Sequence, residues 1–559
     1  MMDLRLKNSP LPAAFLALIA GLWGLGWGLP SRERADLFLK PEMKTHEFYS
    51  KVEKARDELY DKTGLNSVAY YGRMARLGKP VAESANILSA YSSFLVRTHH
   101  GDEQQVLVML SHINPLKGQW YPHSFYYGGA YIFPLGFYLK ILQSLDFVKL
   151  VPQASFYYAH PEEIAKVYWG VRGWSVIGMI LSTIPLFYLG KRLGGVFTGF
   201  WASCFYALCP ASISTAKLAK PHVWAGAWTL SSLYFCFRAK GDAQLKSLAL
   251  AAVCFGLAVG TTMSQIAFLP FLVWACWTPS LRATFQRGVV AAALSATFFL
   301  LTNFYIFSYF QDYKDEVRYI RNFYPFGVSA RAFWDFLYGA LRPSLGTPLW
   351  LLVLAGTAYA AWQRNDRKIR TWALLSLAVL TYSTFQNQAM QGSPASSRLW
   401  LALIGVGCLM AGWFICQILR ASWVGWMCLA ALSVMAVLYA QHYASDRVPR
   451  DNASRAAAWI HEHVPPGTVI GQDQVIPQVF GFPPIPFTAY RILQIGTPPF
   501  DTAPGRAFAV LPLWARDARR RLEQTGYARI RVFAESPLQK MGFSDPFTTA
   551  NFPLEMYAR

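Results

Sequence analysis

The residues best suited to chemistry stand together in Thr98-His99-His100-Gly101-Asp102-Glu103-Gln104-Gln105, followed by the apolar run Val106-Leu107-Val108-Met109-Leu110. Two adjacent carboxylates ahead of a helical run have two readings. They start a helix, where acidic side chains complement the N-terminal dipole, or one of them serves as a general base. Shortly after come Asn114-Pro115 and Trp120-Tyr121-Pro122-His123-Ser124-Phe125-Tyr126-Tyr127-Gly128-Gly129-Ala130-Tyr131. An acid beside such an aromatic-rich surface suits deprotonation of a hydroxyl while a lipid-borne reactant lies in a bilayer. Partial desolvation raises a carboxylate's pKa and so favours it as a base. His99, His100 and His123 lack the i, i+4 spacing and accompanying Glu of a helical zinc pair, so no metal ligand is assigned.

The elements that position these residues follow from composition. Of 559 residues, 54% are hydrophobic, 16% aromatic and only 15% charged. Soluble domains carry nearer a quarter charged residues, so this chain has too few to cover a soluble body of its size. Its aromatic content excludes disorder, and its size a small disulfide-stapled scaffold. The eight cysteines all fall in apolar runs without a C-x-x-C pair, and read as small buried hydrophobes.

Eleven apolar stretches are candidate membrane spans: 11–29, 167–190, 196–213, 223–237, 247–263, 264–277, 288–310, 347–362, 371–385, 399–419 and 423–442. A twelfth, 124–145, carries Gly128-Gly129, Pro134 and Lys140. Charge decides its reading. With eleven spans and the N-terminus inside, the inside loops hold Lys191-Arg192, Arg238/Lys240/Lys246, Arg282/Arg287, Arg364/Arg367/Lys368/Arg370 and Arg420. The short outside loops hold only Lys217, Lys220 and Arg398, which obeys the positive-inside rule. Counting 124–145 as a span reverses every loop, so it is expected as an interfacial or re-entrant helix on the outer face. The net charge of +21 is concentrated in 167–442, which carries +15 from twenty-one bases and six acids. It is therefore a signal of topology, not of a nucleic-acid surface. The N-terminal run resembles a signal peptide but is long and lacks an A-x-A site, so a retained first helix is expected.

Two regions fall outside the bilayer in this scheme: a first outer loop, 30–166, and a tail, 443–559. The loop carries amphipathic stretches at 43–61 and 81–98. The tail reads as a helix from Asn452, a turn at Pro465-Pro466-Gly467, a strand from Thr468, then strand 507–511, helix 515–525 and strand 529–534. The expected fold is an all-α polytopic membrane bundle of about eleven transmembrane helices plus interfacial helices, spanning 1–442. A small α/β outer-face domain, 443–559, completes it.

Gly-Asp-Glu-Gln followed by Pro-His-Ser-Phe-Tyr-Tyr-Gly-Gly-Ala-Tyr resembles the first outer loop of GT-C glycosyltransferases, the polytopic enzymes related to protein O-mannosyltransferases and lipid A aminoarabinose transferases. Tyr168-x-x-Val171-Arg172, Leu189-Gly190-Lys191-Arg192, Ala207-Leu208-Cys209-Pro210 and the tail's Ser454-Arg455-Ala456-Ala457-Ala458-Trp459-Ile460 and Val464-Pro465-Pro466-Gly467-Thr468 are similar to stretches of the same class. The resemblance covers most of the chain loosely, and 102–131 is its most specific part. It implies that Asp102 is the catalytic base or orients the acceptor, with Glu103 as supporting neighbour. It implies transfer of a sugar from a polyprenyl-phosphate donor to an acceptor hydroxyl on a protein, lipid or glycan, at the outer face of a membrane.

A departing phosphate needs positive charge. Arg172, Lys217, Lys220 and Arg398 are candidates, with Arg318, Arg321 and Arg342 in the loop beyond; each could equally snorkel to headgroups. His123, Tyr126 and Tyr127 are candidates for the sugar or the isoprenoid tail. His222 stands where many members of the class carry an Asp, against a two-carboxylate metal site. It could bond sugar or phosphate, or pack at a helix mouth. No cofactor is certain, and a divalent metal such as Mg or Mn stays open. Asp36 and Glu42 rival Asp102 in position, being nearer the first span, but lack the Pro-His-aromatic sequel. The expected location is a bacterial inner membrane, N-terminus cytoplasmic and tail outside. A transporter or flippase of lipid-linked sugars is the alternative from another class, but the few acids between 167 and 442 all lie in loops. A polysaccharide polymerase or ligase would carry its large outer loop late in the chain.

Overall fold

The computed structural model describes residues 9–63, 87–100, 102–241, 244–323, 327, 329–363, 365–386, 394–472, 483–486, 488–496, 498–501, 507–512, 515–534, 539 and 553–559. Arg5 and Lys7, and residues 81–86 of one amphipathic stretch, lie outside them. The chain is mostly helical, with one small mixed sheet in the tail, as the composition and periodicity led one to expect.

All eleven apolar stretches carry helix. By length and hydropathy four are long enough to cross a membrane: Pro161–Gly194, Leu281–Thr302, Ser397–Leu419 and Ser422–Ala444. Two bent pairs, Val196–Leu208 with Pro210–Ala216 and Ala330–Leu345 with Thr347–Trp362, raise the number to six among the described residues. The remainder are short, like Leu11–Leu22 and Leu245–Thr261, or carry charge at an end, like His222–Gly241 and Arg367–Gln386. The bend of the first pair has a local cause. Pro210 opens the second helix, has no N–H to continue the first, and holds Cys209 in an extended conformation. The stretch 124–145 becomes a 16-residue helix, Gly129–Ser144, with Pro134 inside it.

The chain forms two compact units: Met1–Trp23 with Val106–Tyr138 and Val171–Tyr439, and Gly24–Gln105 with Leu139–Gly170 and Ala440–Arg559. The first is helical throughout. Its buried hydroxyls turn back onto their own helices: Ser182 donates to the Gly178 carbonyl at 2.8 Å, Ser203 to Gly199 at 2.8 Å and Ser376 to Trp372 at 2.7 Å. That is how a polar side chain is satisfied where water is scarce.

The second unit contains the sheet. Its strands are β1 Val469–Gln472, β2 Arg491–Gln494, β3 Ala507–Pro512, β4 Ala528–Phe533 and β5 Leu554–Ala558, in the order β2-β1-β3-β5-β4. β1 runs parallel to β2 and β3, whereas β5 is antiparallel to β3 and β4. Alternation sorts the side chains onto two buried faces. Ile470, Ile492, Phe508, Val510 and Met556 pack with Ala456 and Ile460 of helix Asn452–His463 and with Phe38, Tyr91 and Phe94. Val469, Leu493, Ala507, Ala509 and Tyr557 pack with Ala518 and Leu522 of helix Arg516–Gln524. Glu555 is buried on this sheet and bonded by Arg519 at 2.7 Å and Arg529 at 2.9 Å.

Candidate active site

The acidic pair divides at the start of helix Glu103–Ser111. Glu103 is wholly buried, and its Oε2 accepts the Thr98 hydroxyl at 2.6 Å. The same hydroxyl accepts the His100 N–H at 3.2 Å, so Thr98 and Glu103 lock the turn before the helix. Asp102 is half-buried. Two adjacent carboxylates thus sit in different environments, one wholly buried and one half-buried.

Arg97 lies just upstream. It is 4% exposed, and its Nε and Nη1 are buried without a hydrogen-bond partner among the described residues. Burial lowers its guanidinium to about 10, with Arg34 adding to the fall and Tyr168 and Asp102 opposing it. It stays charged at neutral pH, within reach of the Asp102 field. Sequence reasoning passed over Arg97, because an arginine five residues from an acid in a basic chain carries no distinguishing signal. The rivals Asp36 and Glu42 are both exposed, Asp36 in a surface ion pair with Lys44.

The remaining candidates belong to the first unit. The loop Trp120–Tyr127 is anchored by two acids that sequence reasoning left in a loop named for its bases. Glu316 accepts the Ser124 hydroxyl at 2.9 Å and the Phe125 N–H at 2.7 Å, and Asp312 accepts the Tyr121 hydroxyl at 3.1 Å. Both acids lie on helix Phe310–Phe323, whose strongly one-sided charge pattern was the available signal. Burial raises the Glu316 carboxyl above the ordinary carboxylate range, with the bonds from Phe125 and Ser124 opposing. Tyr121 stacks on Tyr309 at 3.9 Å, and Phe125 packs against Tyr305.

His123 adopts a left-handed backbone, φ 55°, between the rings of His112 and Tyr121 at 4.4 and 4.7 Å. Tyr126 is exposed; Tyr127 stands edge-on to His222 at 6.2 Å. Gly128 and Gly129 follow. A Cβ on Gly128 would lie 1.8 Å from the Gly260 carbonyl oxygen, and one on Gly129 1.8 Å from that of Thr302. Only glycine fits at either position. The Gly129 N–H is bonded to the Asn303 side chain at 3.0 Å.

The basic candidates are separated by environment. Lys217, beyond the end of Pro210–Ala216, is fully buried and donates to the carbonyls of Ala20 and Gly21 (3.2 Å for the latter), at the end of Leu11–Leu22. Cations at a helix C-terminus complement its dipole. Burial, with Arg172 adding, lowers the Lys217 ammonium to about 7. Arg172 and Lys220 are buried as well, and His222 opens helix His222–Gly241. Ser175 ties this loop down by donating to the Leu218 carbonyl at 2.7 Å. Arg398, half-buried, sits on the turn Pro394–Trp400, which packs against Pro210–Ala216 and His222–Gly241, the two elements flanking Lys217 and Lys220. The fold so brings Lys217, Lys220, His222, Tyr127 and Arg398 into one region. Arg318, Arg321 and Arg342 are exposed. Seven of the cysteines are buried and Cys416 half-buried, all as free thiols.

Residues 163–307 match the family model described as dolichyl-phosphate-mannose-protein mannosyltransferase. Over those residues, about a quarter of the chain, the protein is similar to that family of membrane glycosyltransferases. Among solved structures it is similar to ArnT from Cupriavidus metallidurans in the apo state, at 12% identity, TM-score 0.43, covering 82% of this chain and 93% of that one. It is also similar to the Archaeoglobus fulgidus oligosaccharyltransferase in complex with Zn and sulfate, at 13% identity and TM-score 0.42. That likeness covers 74% of this chain, which spans 64% of the oligosaccharyltransferase's length. The arabinofuranosyltransferase AftD from Mycobacteria gives 13% identity and TM-score 0.36, over 86% of this chain and 40% of AftD. No curated protein matches the chain.

Proposed function

We propose that the protein transfers a sugar from a polyprenyl-phosphate donor to a hydroxyl of an acceptor, at the outer face of a bacterial inner membrane. Asp102 takes the acceptor proton as the hydroxyl oxygen bonds to the anomeric carbon, and the bond from that carbon to the phosphate oxygen breaks. The lipid phosphate leaves with the bonding electron pair. The observation carrying this reading is the division of the acidic pair: Glu103 is wholly buried and bonded by Thr98, whereas Asp102 is half-buried just before the helix start. A base must reach its proton, and the half-buried Asp102 suits that better than the wholly buried Glu103.

Lys220, His222 and Arg398 suit the donor phosphate. They are hydrogen-bond donors gathered by one loop and one turn, and positive charge favours a phosphate leaving group. Arg172 and Lys217 supply further charge from buried positions, although the Lys217 ammonium is engaged by carbonyls. His123, Tyr126 and Tyr127 offer rings to a sugar or an isoprenoid chain. The acceptor is a protein, lipid or glycan.

Mass spectrometry of the lipid extract from the purified chain tests the reading. A polyprenyl-phosphate sugar is expected to co-purify and to lose its sugar when membrane extract containing acceptor is added. A protein with which no such lipid co-purifies, or a bound lipid that keeps its sugar under those conditions, sinks the proposal.

A further inference from the structure

Apart from the acidic pair, three buried side chains converge within the second unit. His99 comes from the first outer loop, Asp446 from just beyond helix Ser422–Ala444, and Asp451 from the start of helix Asn452–His463. One donor atom from each lies within 4.8 Å of the other two. His99 is 6% exposed and both aspartates 0%. His99 and Asp446 line a cavity of about 560 Å³, with Arg34, Lys166 and Trp169 on its other walls.

The main chain fixes this convergence. The His99 N–H donates to the Gly28 carbonyl at 2.9 Å, and the Gly28 N–H to the Asp446 carbonyl at 2.8 Å. Gly28 is left-handed, φ 54°, and a Cβ there would lie 2.7 Å from the Cβ of His99 and 3.0 Å from Asp446 Oδ2. His99 Nδ1 stands 3.0 Å from each Asp446 oxygen. Asp451 Oδ1 accepts the Ser454 N–H at 2.8 Å as the helix N-cap. Its other oxygen, Oδ2, is buried with no hydrogen-bond partner among the described residues. A buried carboxylate oxygen left without a donor is costly, and such a group calls for an explanation. Arg34 attracts both aspartates at a distance but gives its Nη1 to the Arg97 carbonyl at 2.6 Å. Two buried carboxylates therefore face one guanidinium that bonds neither, and an imidazole.

We infer that His99, Asp446 and Asp451 form a site for one divalent transition-metal ion, Zn²⁺ or Mn²⁺. An imidazole nitrogen with carboxylate oxygens suits these ions, whereas Ca²⁺ takes about 6–8 oxygens. Two donors each about 2.1 Å from one ion stand about 3.0 Å apart at a right angle and about 3.4 Å apart at a tetrahedral one, so His99 and Asp446, hydrogen-bonded at 3.0 Å, are within a few tenths of an ångström of either. The adjoining cavity admits water to complete the coordination. The ion fastens the end of the last long helix and the start of the tail to the loop that carries Asp102, three residues after His99. The site does not depend on which sugar or acceptor the enzyme uses.

The full chain, purified in detergent, is stripped with a chelator and titrated with Zn²⁺ and with Mn²⁺, following metal content by elemental mass spectrometry and the thermal midpoint. About one ion per chain and a raised midpoint are expected. Asp451→Asn keeps the helix cap, since Asn caps as well as Asp, while removing the charge. It is expected to keep its circular dichroism and bind the ion at least tenfold more weakly. A parent chain that takes up neither ion overturns the site, as does an Asp451→Asn chain that binds as tightly as the parent. Should that variant not fold, His99→Gln under the same titration decides by the same criterion. Metal content is read without any transfer assay, so failure here is distinct from failure of the proposed transfer.

Discussion

The two units treat buried charge in opposite ways. In the first, the buried ammonium of Lys217 is held by carbonyls at a helix end, and the nearby charge of Arg172 adds to the fall in its pKa. In the second, acids and bases are buried together: His99 with Asp446, Glu555 with two arginines, Arg97 within the field of Asp102.

The comparison breaks most sharply at Asp102. Asp102→Asn preserves shape and the locked turn, and is expected to lower transfer by about 100-fold or more, with unchanged thermal midpoint and donor lipid still bound. Activity near that of the parent would remove the second unit's claim to the base. A smaller effect is expected at Glu555, which is 1% exposed on the sheet. Glu555→Gln leaves two arginines without their partner, and a loss of about 2 kcal/mol in unfolding free energy is expected. Disruption of fully buried pairs costs about 3–5 kcal/mol, but Arg529 reaches water and its share is screened. Transfer should be untouched when assayed below the midpoint.

The smallest effect belongs to the first unit's exception, the acid Glu316. Glu316→Gln retains an acceptor for the Phe125 N–H and is expected to lose about 1 kcal/mol. Its pH signature is more telling. The folded carboxyl holds its proton more tightly than the unfolded one, so stability is full below the ordinary carboxylate value and falls as pH rises through the folded value. That slope should be absent from the variant; a slope of equal size in both would mean the loop is anchored elsewhere.

Much of this was legible in the sequence. The apolar stretches became helices because some 15–20 consecutive apolar residues have few other solutions. Helices Asn452–His463 and Arg516–Gln524 and strands β1, β3 and β4 fell where alternation and turn residues put them, whereas β2 and β5 were not foreseen. The acidic pair was legible because its neighbours are short-range: Thr98 and Glu103 are five residues apart. What was not legible is long-range. Glu316 meets Phe125 across 191 residues, and His99 meets Asp446 across 347, and no periodicity links such partners. The contact of Lys217 with the Ala20 and Gly21 carbonyls was hidden for the same reason. A lysine at a helix mouth has one sequence signature whether it faces solvent or another helix's carbonyls.

The paired glycines after Tyr127 have a mechanical consequence. Their backbone rests directly on the carbonyl ends of Leu245–Thr261 and Leu281–Thr302, with no side chain to cushion either contact. Any side chain at either position would hold the aromatic loop off those helix ends, so the placing of Tyr127 beside His222 hangs on two missing methyl groups.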